Sequence, residues 1–249
     1  MRYVFALAGA LVFASLPSPA AEAPPFTWDK LTYGVEWRLV RSGSVVVEPG
    51  STETRMRMQS AGLLSALFRV EDQYTVRYDA NSCATDSVFN SVEGSHHRQT
   101  TVLYDRSQHK STYVQRDITN NTVTRSAQAD IPDCPHDMLA GLMVLRGSRL
   151  EPGQSVNVVL SDGRKTGTVK LEAQEREEIT TPAGTFKTIR YEADIFGGVI
   201  YMRKGRALIW VTDDAERVPV EIKLRFAFPI GTVTLDLEKD TPAAKPAAH

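Results

Sequence analysis

The nine residues 31–39, LTYGVEWRL, decide the fold class, because apolar and polar side chains alternate along them. Leu31, Tyr33 and Val35 fall on one side of an extended chain, and the polar residues of the stretch fall on the other. A period of two is typical of a half-buried β-strand, whose successive side chains point to opposite faces of a sheet. We therefore predict a strand over residues 31–39 and a turn at residues 41–44, RSGS.

The same alternation recurs in twelve or more short segments along the chain. Turn sequences separate these segments, for example Ser161-Asp162-Gly163 and Pro182-Ala183-Gly184. Many short strands with frequent turns favour an all-β, mainly antiparallel architecture over alternating strands and helices. No repeat and no long linker interrupts the pattern. We predict one β-rich domain over residues 28–238, built as a curved sheet, a barrel or a half-barrel.

One segment has helical spacing instead, with apolar side chains at Met138, Leu139, Leu142 and Met143. It predicts one short helix over residues 137–146, packed against or into the sheet. Asp137 or Asp133 would cap its start, and Gly147 would end it. The apolar stretch 62–68 fits a second, shorter helix or another strand.

The first twenty residues have the layout of a secretory signal peptide. Arg2 precedes the uncharged apolar run 4–16, and small residues precede a cleavage point after Ala20. The run reaches about 20 Å as a helix, which is short of the roughly 30 Å of a bilayer core. We predict export to the periplasm or the medium; an uncleaved anchor is the alternative.

Two further terminal segments are predicted to lie outside the domain. Residues 21–27 form a flexible leader, and residues 239–249 form a disordered tail without periodic apolar positions. No later stretch is long and apolar enough to span a membrane as a helix, so no integral membrane segment is expected after cleavage.

Composition excludes several function classes. The 249 residues carry 29 Lys and Arg against 30 Asp and Glu, and this balance argues against a general nucleic-acid binder. Two cysteines cannot form a Cys-rich zinc site. The common serine-hydrolase, zinc-protease, P-loop and dinucleotide-binding motifs are absent from the sequence. We expect neither a metal nor a cofactor.

The predicted compartment determines how the two cysteines are interpreted. In an oxidising environment Cys83 and Cys134 are more often paired than free. The chain-entropy estimate for closing such a loop is about 4 kcal/mol of stability. The alternative is two unrelated buried thiols.

The densest polar cluster is DCPHD at residues 133–137. His136 with Asp133 or Asp137 could form an acid–base pair for a hydrolase-type enzyme. The reading we prefer is structural: a half-cystine, a turn proline and a helix cap. His96 and His97 would point to opposite faces of a strand and would not bind one ion together.

Four methionines suggest where a ligand would bind. Flexible thioethers suit adaptable apolar surfaces, which makes Met56, Met58, Met138 and Met143 candidate ligand-binding residues. The alternative is that they fill the core.

Several segments resemble a family of exported bacterial proteins, the domain of unknown function 3108. The resemblance covers most of residues 28–237 and is carried by LTYGVEWRL (31–39), DMLAGLMVLR (137–146), LEPG (150–153), TPAGTF (181–186) and IWVTDDAERVPV (209–220). It implies export and a mostly antiparallel β fold similar to a barrel or half-barrel. It implies no catalytic residues.

Three hypotheses for function follow. The preferred one is a non-enzymatic, envelope-associated protein that binds an apolar, lipid-like ligand or an envelope partner. The second is a periplasmic enzyme that uses His136. The third is a structural or assembly factor that pairs through its sheet edges.

Overall fold

The computed structural model describes residues 30–194, 205–227 and 231–239. The predicted signal peptide, the leader and all but the first residue of the predicted tail lie outside this part of the chain. None of the helices in the described ranges is long and apolar enough to cross a membrane.

The described residues form fourteen strands and two helices. The first half contains β1 (Leu31–Trp37), β2 (Val40–Glu48), β3 (Glu53–Ser60), α1 (Gly62–Leu67), β4 (Val70–Tyr78), β5 (Ala84–Glu93), β6 (His96–Asp105), β7 (Lys110–Asp117) and β8 (Thr122–Asp130). The second half contains α2 (Met138–Ser148), β9 (Ser155–Ser161), β10 (Thr166–Thr181), β11 (Gly184–Ala193), β12 (Gly205–Thr212), β13 (Pro219–Phe226) and β14 (Thr232–Leu237).

All strands belong to one curved antiparallel sheet in the order β8-β7-β6-β5-β4-β3-β2-β1-β14-β13-β12-β11-β10-β9. Strands that follow one another in the chain are neighbours, except β8 and β9, between which α2 is inserted. The pairing of β1 with β14 brings the two ends of the domain together, with Tyr33 opposite Leu237. The predicted all-β class is confirmed, and the sheet is barrel-like without being closed by pairing of its edge strands.

Contacts other than a strand ladder join the two edges of the sheet. The Thr166 hydroxyl donates to the Asp130 carbonyl over 2.7 Å, and the Ser161 amide donates to the His136 carbonyl over 2.8 Å. Farther inside, the Ser111 hydroxyl donates to the Gly163 carbonyl over 3.0 Å. The turn between β9 and β10 therefore packs onto the inner face of the opposite half of the sheet.

Helix α2 begins where the sequence predicts and ends later. The Asp137 side chain caps its start, and the helix continues through Gly147 to Ser148. The predicted end at Gly147 is wrong: the C-cap is Arg149, which adopts the left-handed conformation with φ 45°. The Arg217 guanidinium donates to the Arg146 carbonyl over 3.0 Å, which satisfies one of the carbonyls exposed at this helix end. Residues 62–67 form α1, the shorter helix left open by the sequence.

The first hairpin differs from the prediction. Strand β1 stops at Trp37, and the two turn residues are Arg38 and Leu39, with φ of 53° and 65°. Gly43 lies within β2, where a Cβ would stand 2.2 Å from the carbonyl oxygen of Gln59 on β3. The glycine therefore permits a close approach of two strands and does not form the turn.

Helix α2 packs against two unlike walls of the sheet. The tyrosine wall consists of Tyr74, Tyr78 and Tyr104 on β4 and β6, and it contacts Leu139 and Ala140 near the helix start. The aliphatic wall lies on β9, β10 and β12 and receives Leu145 near the helix end; its members are Val158, Leu160, Val169, Leu171 and Ile209.

Candidate ligand-binding site

An apolar cavity of about 140 Å³ lies between α2 and the sheet. The helix contributes Leu139, Leu142 and Leu145 to its lining, together with Gly141 and two methionines. The sheet contributes side chains from both chain halves, among them Leu31, Tyr33, Val45, Val158, Leu171, Ile209, Ile222 and Leu235. An almost entirely apolar lining favours an apolar occupant over water.

The sheet register explains why space remains here. Ala193 on β11 lies directly opposite Ala207 on β12, and both line the cavity. Two small residues facing each other leave unfilled volume that larger side chains would occupy. On the other side, Gly141 allows α2 to approach β9, because a Cβ at this position would stand 2.9 Å from a methyl of Leu160.

The ring of Tyr33 lines the cavity, and its hydroxyl group has a hydrogen-bond partner. Its hydroxyl donates to the Pro219 carbonyl over 2.8 Å. Burial raises the pKa of Tyr33, which keeps the hydroxyl protonated as a donor. The lining thus gains aromatic surface without an unsatisfied polar atom.

Three of the four methionines predicted as ligand-binding residues border the cavity: Met56, Met138 and Met143. Met138 is 42% exposed, so it stands at the border between cavity and solvent. Met58 lines a different space beside Val35 and Trp37.

Asp137 is buried and fully engaged in hydrogen bonds. Its carboxylate accepts from the Leu139 and Ala140 amides over 3.2 and 2.9 Å. It also accepts from the Tyr74 and Tyr78 hydroxyls over 3.0 and 3.4 Å. Burial raises the pKa of Asp137, while these donors act in the opposite direction. Asp137 therefore caps the start of α2 and joins it to the tyrosine wall.

The structure does not bring the other two residues of the predicted acid–base group to Asp137. The His136 ring lies with Nδ1 3.3 Å from the Ser82 carbonyl and Nε2 4.0 Å from Cys134 Sγ. Asp133 is exposed, and its carboxylate lies 3.4 Å from the His109 ring. Each candidate has a separate partner, and none of the three lines the apolar cavity.

The tyrosine wall is the feature that sequence reasoning missed. Tyr74 and Tyr78 alternate with polar residues in the sequence, which indicated a strand but not the acceptor of their hydroxyls. Tyr104 donates to the Ser161 carbonyl over 3.1 Å and so reaches the edge strand β9. These bonds connect residues far apart in the chain, which a local pattern does not reveal.

Cys83 and Cys134 form a disulfide with 4.8 Å between their Cα atoms. Cys83 belongs to the loop between β4 and β5, and Cys134 belongs to the segment that leads into α2. Next to the disulfide, the Ala84 amide donates to the Pro135 carbonyl over 2.8 Å. The entrance of α2 is therefore fastened to the side of the sheet that carries the tyrosine wall.

No group of three or more His, Cys, Asp or Glu side chains in the described ranges could hold a metal ion. His96 and His97 are exposed at the start of β6, where they pair with Glu93 and Val92 of β5.

The family description "Protein of unknown function (DUF3108)" matches residues 29–238. No curated protein matches the chain. Among solved structures, the chain is similar to a β-barrel-like protein of domain of unknown function DUF1849 from Brucella abortus, with 9% identity, a TM-score of 0.54, and coverage of 84% of this chain and 95% of that one. A DUF1089 family protein from Pseudomonas aeruginosa matches with 12% identity and a TM-score of 0.41, over 74% of this chain and 90% of that one. The first similarity supports the barrel-like fold.

Proposed function

The chain belongs to the DUF3108 family, which is described as proteins of unknown function, and we propose that it binds an aliphatic chain in the cavity beside α2. The observation that carries the proposal is a cavity of about 140 Å³ whose lining is almost entirely apolar. An apolar cavity of about 150 Å³ in a protein interior stays dry and accepts a ligand the size of benzene. The volume therefore suits about six carbon atoms of a ligand.

The lining supports binding over catalysis. Among the described residues, the side chains around the cavity carry no carboxylate, imidazole or thiol that could transfer a proton or attack a substrate. Met56, Met138 and Met143 can adopt several rotamers, so the lining can adapt to chains of different shape. Asp137, whose pKa is raised by burial, is occupied by the helix start and two tyrosines.

We further propose that the protein acts after export. The first twenty residues have the layout of a cleavable signal peptide, with cleavage after Ala20. The Cys83–Cys134 disulfide supports an oxidising compartment, because such bonds are rare where thiols are kept reduced. In the cell envelope, the acyl chains of lipids would be available as ligands.

Calorimetric titration with straight-chain alcohols tests the binding proposal. Each added methylene should tighten binding by up to about 0.8 kcal/mol while it enters the cavity. The gain should level off at roughly six to eight carbons, when the cavity is full. Absence of binding at every length, or a gain that continues unchanged to dodecanol, would contradict a cavity of this size.

Two matched tryptophan variants locate the bound chain. Ile222→Trp places an indole in the cavity wall and should weaken octanol binding by at least about tenfold, because the ring takes up the free volume. Leu103→Trp makes a similar replacement at a position that is 57% exposed, and it should leave binding unchanged. Equal effects of the two variants would place the ligand elsewhere.

A further inference from the structure

A second pocket of about 300 Å³ adjoins the apolar cavity and has a different character. Pro49 and Met143 line both spaces, so these two side chains form the boundary between them. Beyond them the second pocket is lined by Arg146 and Ala140 on the helix and by Ser51, Tyr78 and Ser82 opposite it, so it has more polar surface than the apolar cavity. An apolar space therefore continues into a polar one along a single face of α2.

Arg146 is held at this pocket by its neighbours. Its Nε donates to the Glu216 carbonyl over 2.7 Å, and its side chain is 30% exposed. The Glu216 carboxylate lies 3.7 Å from Nη2 but is 62% exposed, and such exposed pairs contribute little energy. The buried Arg217 donates to the Arg146 carbonyl and to the Tyr191 hydroxyl, which fixes the backbone beneath Arg146.

Arg146 is the arginine of the described residues that lines the polar pocket. A guanidinium presents a planar set of donors that matches the oxygens of a carboxylate or a phosphate. The Asp137 carboxylate, the nearest buried negative charge on the helix, is 2% exposed and lies behind Tyr78. An anion at Arg146 would compete with the Glu216 carboxylate, which is exposed and can turn into the solvent.

We propose that the ligand is an amphiphile with an anionic head group, whose tail fills the apolar cavity and whose carboxylate or phosphate binds at Arg146. The inference rests on the proposed function and adds the class of head group and the direction in which the ligand enters. Met143 is unbranched with three rotatable bonds, so it can turn aside to let the chain pass from one space to the other.

Four ligands with eight carbon atoms each test the proposal by calorimetry on the purified protein: octanol, octanoate, octyl phosphate and octylammonium. We expect octanoate or octyl phosphate to bind about tenfold more tightly than octanol, the size of effect given by one charge-assisted hydrogen bond. The better of the two anions tells whether the head group is a carboxylate, as in a fatty acid, or a phosphate, as in a phospholipid. Octylammonium should bind more weakly than octanol.

Arg146→Gln should remove the preference for the anion, so that octanoate and octanol bind with similar affinity, whereas Arg146→Lys should retain part of the preference. Arg55→Gln is the matched control, because Arg55 is exposed on β3 and lines neither pocket. The comparison of the four ligands on the unaltered protein stands even if an Arg146 variant fails to fold.

The possible results separate the two proposals. Equal binding of all four ligands, or tightest binding of octylammonium, would overturn the anionic head group and leave the cavity as the binding site. No binding of any of the four would overturn both.

Discussion

The two walls that face α2 hold the helix in different ways. On the tyrosine wall, two hydroxyls and the first helical amides converge on the Asp137 carboxylate, and the disulfide fastens the chain just before the helix. On the aliphatic wall, Leu145 packs among branched side chains, and the hydrogen bond from Arg217 to the Arg146 carbonyl holds the end of the helix. The cavity is bordered by all five members of the aliphatic wall and by none of the three tyrosines of the tyrosine wall.

A β-rich domain can thus keep a helix in place and still leave space beside it. Hydrogen bonds and a covalent link fix the position of the helix start, so the far side need not be packed to full density. Empty apolar volume costs stability, which the fastening on the tyrosine wall offsets. The comparison predicts that the largest losses of stability come from that wall.

Removal of the disulfide should have the largest effect. The two cysteines are separated by 51 positions, and in the chain-entropy model such a link contributes about 4 kcal/mol. We expect Cys83→Ala combined with Cys134→Ala to lower the free energy of unfolding by about this amount in urea titrations. The unaltered protein under reducing conditions should behave in the same way. A loss below about 1 kcal/mol would show that α2 is held without the link.

Asp137→Ala should have the second-largest effect and should lower the free energy of unfolding by about 3 kcal/mol. The substitution removes the helix cap, worth about 1 kcal/mol, and leaves the buried Tyr74 and Tyr78 hydroxyls without their acceptor, at a cost of about 1–3 kcal/mol. Asp137→Asn is the matched control, because its amide oxygen can still cap the helix and accept from a tyrosine. Urea unfolding should place the asparagine variant within about 1 kcal/mol of the unaltered protein. Equal losses in both variants would contradict a role based on hydrogen bonding.

The local elements of this fold could be predicted because their cause is local. Alternation of side chains gave strand β1 and its neighbours, and helical spacing gave α2 with Asp137 as its cap. The turn at Arg38 and Leu39 could not be predicted, since neither residue favours positive φ and the glycine nearby serves a strand contact instead.

The candidate site depends on register between distant strands. Each alanine of the Ala193–Ala207 pair is unremarkable in the sequence, and the cavity appears only when the pairing of β11 with β12 sets them opposite each other. Likewise, the methionines indicated an adaptable surface, but the boundary position of Met143 and the place of Arg146 follow from how α2 crosses the sheet.

Asp72 is a second buried carboxylate on this side of the sheet, and it lacks the partners that Asp137 has. It lies on the same face of β4 as Tyr74 and is 2% exposed. Its Oδ1 accepts from the Val92 amide over 3.1 Å, and its Oδ2 has no hydrogen-bond partner in the described part of the chain. Burial, with a contribution from the charge of Glu93, raises the pKa of Asp72 to about 6.

A raised pKa in the folded state means that ionisation of Asp72 opposes folding. The folded protein holds this proton up to about pH 6, whereas the unfolded chain loses it near pH 4, so stability falls as the pH rises between these values. Asp72→Asn cannot ionise and should be more stable than the unaltered protein by about 1–2 kcal/mol at pH 7.5, with the gain vanishing at pH 4. Urea unfolding of both proteins at the two pH values measures the difference.

Asp105→Asn provides the control of opposite sign. Asp105 is exposed on β6, and its carboxylate accepts from the Ser107 hydroxyl and the Gln108 amide, which lower its pKa. Its ionised form therefore favours folding, and its replacement should reduce stability slightly at pH 7.5. If Asp72→Asn also lost stability at pH 7.5, the Asp72 carboxylate would have partners as good as those of Asp137. The contrast between a satisfied and an unsatisfied acid on the same side of the sheet would then fail.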